Sequence, residues 1–406
     1  MSHSRSLSLA LCLLAACRVG VRTDAPASSA PPSTPAQAEI PLDGSSGWDA
    51  SLVLDQPGVG IWTVGVLKVF EQYGAREIVA LDDLGRFHAL WSYSGKWTPV
   101  STVHDGKWLG GIVEADLDPR IDGDEFYTGS ANGNLYQVTT PHETFLDCRL
   151  IGVLPGHEIH TLVGGELDLA HDGPELIAFT RPGKLVRLSA RLGGAPGGSA
   201  DGITGARDGF DVTVLSELPG RVRDALVLPG GASPPEIVTA GRHGRVEVLR
   251  LDRDGPRWTT IHEVPMGVGR VALAPARAGG ATVLYSTCDD GRVFRHEREG
   301  DAWRNELIYA GPQGLRGIAA GRFDADANVE TIAVFGYSKE VELLTRRAGG
   351  WQRETLFVDR DKGHWLCAGE LDGRNATDEL VASGYSGRVV LLARPPGYGL
   401  PGVLVR

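Results

Sequence analysis

Apolar and polar residues alternate with period two after a turn at seven places along the chain: GRFHALW from Gly85, GNLYQV from Gly133, GKLVRL from Gly183, GRVEVL from Gly244, GRVFRH from Gly291, KEVELL from Lys339 and GRVVLL from Gly387. Such alternation is what a half-buried strand requires, because successive side chains point to opposite faces. The anchors are 48, 50, 61, 47, 48 and 48 residues apart. An apolar strand precedes each anchor, starting near Glu77, Glu125, Glu175, Glu236, Thr282, Glu330 and Glu379. The few residues between the two make each pair a hairpin. A further strand led by an aromatic follows six of the anchors, at Trp97, Phe145, Phe210, Trp258, Trp303 and Trp351. Phe210 lies later than its counterparts because a Gly-rich segment, 193–209, reads as a surface-loop insertion. A strand rich in Gly and Ala, clearest in WLGGIV, HTLVGG, RGIAAG and WLCAG, comes before the hairpin.

Four strands in a repeat of about 48 residues make one propeller blade, and small residues suit the innermost strand, where backbones crowd around a channel. The seventh copy ends at Leu392 without an aromatic-led outer strand. The missing strand is at the other end of the chain, where SGWDASLVL around Trp48 matches GGWQRETLF and DAWRNELIY. The pattern therefore predicts an all-β chain: a seven-bladed β-propeller with four-stranded blades, its last blade closed by the N-terminal strand around Trp48. Closure of this kind leaves no open sheet edge between first and last blades. The propeller is expected over residues 45–394, with a C-terminal tail at 395–406.

GELDGRNATDELVASGYSGRVVLL, VEADLDPRIDGDEFYTGSANGNLYQV and GRFDADANVETIAVFGYSKEVELL resemble the FG-GAP/VCBS repeats of integrin α-chain propellers and bacterial surface proteins. That resemblance covers about residues 45–394 and implies architecture. It also implies an acidic loop between the first and second strands, which in the family often binds calcium. Here the loop is degraded. Blade two keeps Asp116, Asp118, Asp122 and Asp124, with extra residues between the second and third acids; blade three keeps Glu166, Asp168 and Asp172. Blade six keeps Asp324 and Asp326, and blade seven Glu370, Asp372 and Asp378. Calcium takes six to eight oxygens, so these acids need help from backbone and water. Calcium at blade two is the one cofactor the sequence suggests, beside the reading of a solvated turn whose Asp side chains bond their own backbone.

The first residues read as a processing signal. Arg5 precedes a short apolar run, Leu7 to Ala15, too short to span a bilayer. Leu14-Ala15-Ala16-Cys17 resembles the lipobox of bacterial lipoproteins, which implies a signal peptide over 1–16 and lipidation of Cys17. The alternative is ordinary cleavage nearby, with Cys17 incidental. Residues 17–44 would then hold the lipidated cysteine and a flexible tether rich in Ala, Ser and Pro. The expected location is the bacterial cell envelope, on the outer membrane, with membrane contact through the lipid alone. Cys12 would leave with the signal peptide, and the other cysteines, Cys148, Cys288 and Cys367, lie in three different repeats and read as small core residues rather than a disulfide framework. Glycine at 55 and proline at 24 residues fit frequent turns, and a net charge of −11 without a basic stripe argues against nucleic acid as a partner. A monomer is expected.

In a propeller, the loops leading into the inner strands and the tips of the hairpins share one face. The first set contributes Trp62, His104, Trp108, His157, His160, Arg221, Arg223, Arg270, Arg316, Asp361, His364 and Trp365; the tips add Asp83, Arg181, Arg242, His243, Asp289, Asp290, Tyr337 and Tyr385. Counted back from the hairpin, His160, Arg316 and His364 are equivalent, and Arg270 nearly so. An Arg/His ring in an acidic protein suits carboxylate, phosphate or sulfate groups, and interleaved Trp suits a sugar face. Trp62, His104, Trp108, His157, His160, Arg223, Arg270, Arg316, His364 and Trp365 are thus the candidate ligand-binding set. The competing reading is structural, with Arg bonding carbonyls or carboxylates of the next blade and Trp packing between blades. His104 with Asp105, or His157 with Glu158, would be half of a general-base pair. His157, His160 and His364 are candidate metal ligands. No nucleophile elbow, H-E-x-x-H pair or phosphate loop is present.

Two functions are carried forward. One is a non-catalytic propeller on the cell envelope, binding an acidic glycan or a protein at its channel face. The other is a carbohydrate-active enzyme of the polysaccharide lyase or sugar dehydratase type, using His and Arg at the channel mouth. The second rests on likeness of fold.

Overall fold

The computed structural model describes residues 47–70, 76–93, 96–121, 125–142, 145–190, 209–229, 235–276 and 280–400. Within them, strands pair into seven antiparallel four-stranded sheets. In the first six sheets the strands follow chain order. The seventh runs from Gly363–Gly369 through Glu379–Gly384 and Arg388–Ala393 to Asp49–Asp55, so the N-terminal strand is its outer edge. Asp49 stands opposite Ala393 and Asp55 opposite Arg388. The chain is a seven-bladed β-propeller, closed where the repeat pattern placed the closure. Trp48 is buried at this junction, with its ring edge-on to Phe323 at 6.2 Å and the Arg394 guanidinium 4.3 Å from its centroid.

The apolar core is divided among the blades. Seven buried clusters each join side chains from two neighbouring blades, one cluster per seam. This explains the sequence of the second strands. Glu77–Asp82, Glu125–Ser130, Glu236–Gly241, Thr331–Gly336 and Glu379–Gly384 are buried at every position, because adjacent blades cover both of their faces. The inner strands pack on one another around a closed ring.

One polar residue recurs at the start of the second strand. Glu77, Glu125, Glu175 and Glu379 are buried, and each accepts the backbone N–H of the residue eight positions earlier, Val69, Leu117, Leu167 or Leu371, at 2.7–2.9 Å. In blade six, Thr331 Oγ1 takes the same place and accepts from Phe323 N at 3.1 Å. The turn between the first two strands would otherwise leave that donor buried and unpaired. Burial pushes the Glu175 and Glu379 carboxyls up to about 7.

Cys148, Cys288 and Cys367 are free thiols. No helix among the described residues is long and apolar enough to cross a membrane. The expected signal peptide, Cys17 and the tether lie outside the described residues, as do most of the 193–209 insertion and the tail beyond 400.

Candidate functional site

Every inner strand carries a register shift near its start. In five blades the residue skipped by the pairing is Trp62, His160, Arg223, Arg316 or His364. A bulge inserts one extra residue and re-aims its side chain. Here it turns five large polar or aromatic side chains into the mouth of the central channel. In blade five the bulge holds Gly269 and Arg270, and a Cβ on Gly269 would meet Leu315 O at 2.6 Å, so Arg270 supplies the side chain instead. In blade two the shift spans Gly111 and Ile112, and Trp108 just before the strand fills the place.

These residues line one well of about 200 Å³ on the propeller axis, and all seven blades contribute to it. Its wall holds Arg221, Arg223, Arg242, Arg270 and Arg316, with Trp62, Trp108, Trp365, Tyr337, Tyr385, His160 and His364. Among the described residues no carboxylate lines it. The guanidiniums come from blades four to six and the tryptophans from blades seven, one and two, so the well has a cationic side and an aromatic side. Trp62 and Trp108 stand 5.6 Å apart with planes tilted by 32°, and His160 lies 4.6 Å from Trp108. The two sides meet where the Arg270 guanidinium covers the Trp365 ring at 3.9 Å.

Part of the arginine set braces the blades. Arg223 pairs with both oxygens of Asp289, at 2.9 and 3.1 Å, and donates to Val268 O at 2.8 Å. Arg316 donates to the same Asp289, and Arg270 donates to Arg223 O. One carboxylate thus serves two guanidiniums, and a net positive charge remains. Arg221, Arg242 and Arg270 have no ion pair among the described residues. Burial and the neighbouring guanidiniums pull Arg221 and Arg270 down to about 10. Buried Asp224 beside Arg270 is pushed up to about 6 and accepts from Val271 N at 3.1 Å.

Both histidines are held neutral. Burial, then Arg221 and Arg270, pulls His160 down to about 2; burial, then Arg270, holds His364 well below its usual value. Arg221 donates to His160 Nδ1 at 3.1 Å, which puts the His160 proton on Nε2. His364 Nδ1 donates to Trp62 O at 2.8 Å, which leaves its Nε2 lone pair free. Three buried N–H donors of the wall, Trp62 Nε1, Arg221 Nε and Arg270 Nε, find no hydrogen-bond acceptor among the described residues, while His160 Nε2 has Glu158 Oε2 at 3.5 Å. A wall with surplus donors, surplus positive charge and flat apolar faces favours an anionic, oxygen-rich ligand.

Eight of the ten predicted ligand-binding residues meet in this well: Trp62, Trp108, His160, Arg223, Arg270, Arg316, His364 and Trp365. Two do not. His104 is exposed outside it, and His157 turns its Nδ1 toward Thr180 Oγ1 and Pro182 O, at 3.2 and 3.0 Å. Arg221, Arg242, Tyr337 and Tyr385, which were named at loops and hairpin tips but left out of the set, complete the wall. The general-base pairs are not assembled. Asp105 is taken up by Asn132, Asn134 and Tyr136, and Glu158 lies nearer to Arg181 and His160.

Calcium does not fit the described part of the blade-two loop. Asp118 is fully buried and clamped by Arg120, through two bonds of 2.6 Å, and by Arg149 at 2.8 Å. The guanidiniums hold its carboxyl down at about 2 and already supply the positive charge a metal would bring. Asp116 is exposed, and Asp122 and Asp124 lie outside the described residues. The His157, His160 and His364 trio does not converge on a metal either; among the described residues only Glu370, Asp372 and Glu379 cluster closely enough. Glu370 and Glu379 there accept backbone N–H bonds of their own loop.

No protein-family model matches the chain, and no curated protein matches it significantly. Solved structures do. The WD40 β-propeller domain of Doa1 aligns with a TM-score of 0.56 at 10% identity, over 85% of this chain and 96% of that one. The β-propeller domain of Cps50 (Swd1) from Myceliophteria thermophila gives 0.53 at 10% identity, over 84% and 99%. BBS1N, solved in complex with ARL6DN and soaked with lead, gives 0.54 at 14% identity, over 85% and 98%. At these identities the likeness shows the fold alone.

Proposed function

We propose that the protein is a binding propeller of the FG-GAP/VCBS type, anchored to the bacterial cell envelope through lipid on Cys17, whose axial well takes an acidic glycan. The observation that carries this reading is the wall itself: five guanidiniums, three tryptophans and, among the described residues, no carboxylate around one cavity. Guanidiniums receive carboxylate or sulfate in bidentate fashion, and Trp faces receive the C–H face of a sugar ring. Titration calorimetry with galacturonate oligomers tests it. The wild-type protein binds, and Arg221→Gln or Arg270→Gln weakens binding by about tenfold or more, the loss of one charge-assisted bond. Absence of binding to any acidic saccharide overturns the reading.

One observation favours a second reading, a carbohydrate-active enzyme of the lyase or dehydratase type. The His364 Nε2 lone pair is unpaired among the described residues, on a neutral ring in the wall of the well. A positioned neutral imidazole is a competent general base. Incubation with the same oligomers distinguishes the readings. An enzyme releases product that His364→Gln no longer forms while binding persists; a binding propeller returns the saccharide unchanged.

A further inference from the structure

The shape of the well limits how a polymer meets it. All seven blades wall it, so no blade leaves a gap through which a chain runs in one side and out the other. Around the well, adjacent inner strands press together. A Cβ on Gly110 would lie 2.8 Å from His160 O, one on Gly269 2.6 Å from Leu315 O, and one on Gly317 3.1 Å from Leu366 N. The first two approaches, to backbone oxygens, admit only glycine, and the third leaves a side chain little room. The space, about 200 Å³, is below the range of roughly 300–1,000 Å³ that accepts drug-sized ligands. That is room for one ring.

The wall is also polarised. Arg221, Arg270 and Arg316 stand on one side, and Trp62 and Trp108 on the other. A single residue entering the pit therefore has its acidic group and its ring face directed to opposite walls. Resting on the acidic-glycan reading above, we propose that the well recognises the end of a glycan chain: one terminal acidic residue inserts, its anionic group toward blades four to six and its ring face against blades one and two. The rest of the polymer stays outside the face.

The test compares galacturonate, its trimer and long polygalacturonate by titration calorimetry on the full protein. Two further trimers are blocked by a bulky group, one at each end. End recognition predicts a Kd, expressed per chain, that is the same within about threefold across the three lengths, because every chain offers one such end. It also predicts that one of the blocked trimers fails to bind. If affinity per chain instead climbs with the number of internal residues, or both blocked trimers bind like the free one, end recognition is wrong while the acidic-glycan reading survives. If no saccharide of any length binds, both fall together.

Discussion

His364 donates its Nδ1 proton to the carbonyl oxygen of Trp62, 2.8 Å away and 302 residues earlier in the chain. The bond crosses the seam between the last blade and the first, and the two rings lie 4.5 Å apart. One side chain thus holds the ring closed and lines the well. Replacing it with alanine removes a buried hydrogen bond and opens a cavity, so His364→Ala is expected to lower stability by about 2–4 kcal/mol. Urea unfolding of the two proteins measures this. An unchanged midpoint would mean that the seam does not depend on the bond.

The charge state of the well sets how binding responds to pH. His160 is pulled down to about 2 and His364 lies well below its usual value, so neither gains a proton over the range in which free imidazole titrates. The positive charge comes from arginine and is already complete at neutral pH. Affinity for a uronate is therefore expected to stay flat between about pH 8 and about pH 7, above the range in which Asp224 beside Arg270, pushed up to about 6, takes up its proton. A tenfold tightening within that window would show instead that an imidazolium forms in the well.

Much of the architecture was legible because the repeat prints the same turn and strand seven times, and because Trp48 supplies the outer strand that Gly387 onward lacks. The equivalence of His160, Arg316 and His364 was legible for the same reason, since each sits a fixed distance before its hairpin. Trp62 and Arg223 belong to the same bulged position, yet an extra residue in a strand leaves no mark on a period-two pattern. His157 looked like a neighbour of His160 because the two are close in the chain, but it lies before the inner strand and its ring turns to the blade's own hairpin tip at Thr180 and Pro182. Asp118 kept the spacing of a calcium loop, while its partner Arg149 arrives from 31 residues away in the outer strand of the same blade. Contacts of that range are set by the packed sheet and are invisible to local spacing.

The buried glutamates at the second strands make stability depend on pH in an unusual direction. Glu175 and Glu379 titrate near 7 in the folded chain against 4.5 for the ordinary side chain, so the folded state holds their protons more tightly. Their contribution is fully present below about pH 4.5 and is lost as pH rises through about 7. Each is expected to cost about 1–3 kcal/mol on going from pH 5 to pH 8. His160 and His364 act oppositely, since their lowered values withdraw stability as pH falls through about 6.5. The separation is made by mutation. Glu379→Gln cannot ionise, so its loss of stability between pH 5 and pH 8 should be smaller than that of the wild type, by urea unfolding at each pH. Parallel curves for the two proteins would show that Glu379 does not titrate in this range.

Closure places a disproportionate share of stability on the first described strand. Among the described residues, Asp49–Asp55 is the outer partner of Arg388–Ala393, and it arrives from the N-terminal side of the chain. Trp48 anchors it, buried to 4% exposure between Phe323 and the Arg394 guanidinium, which itself lies 4.9 Å from the Tyr398 ring. Trp48→Ala empties that slot and is expected to cost about 3–5 kcal/mol, the usual range for a large buried aromatic. Deleting residues up to Asp55 goes further, since it bares the backbone of Arg388–Ala393 as a free edge that carries four consecutive apolar residues, Val389 to Leu392. The truncated chain should therefore associate, eluting ahead of the full chain in size-exclusion chromatography, while Trp48→Ala stays at the full chain's elution volume with a lowered melting temperature. If the truncated chain elutes and melts like the intact one, blade seven is stable with three strands, and the N-terminal strand contributes little to holding the ring closed.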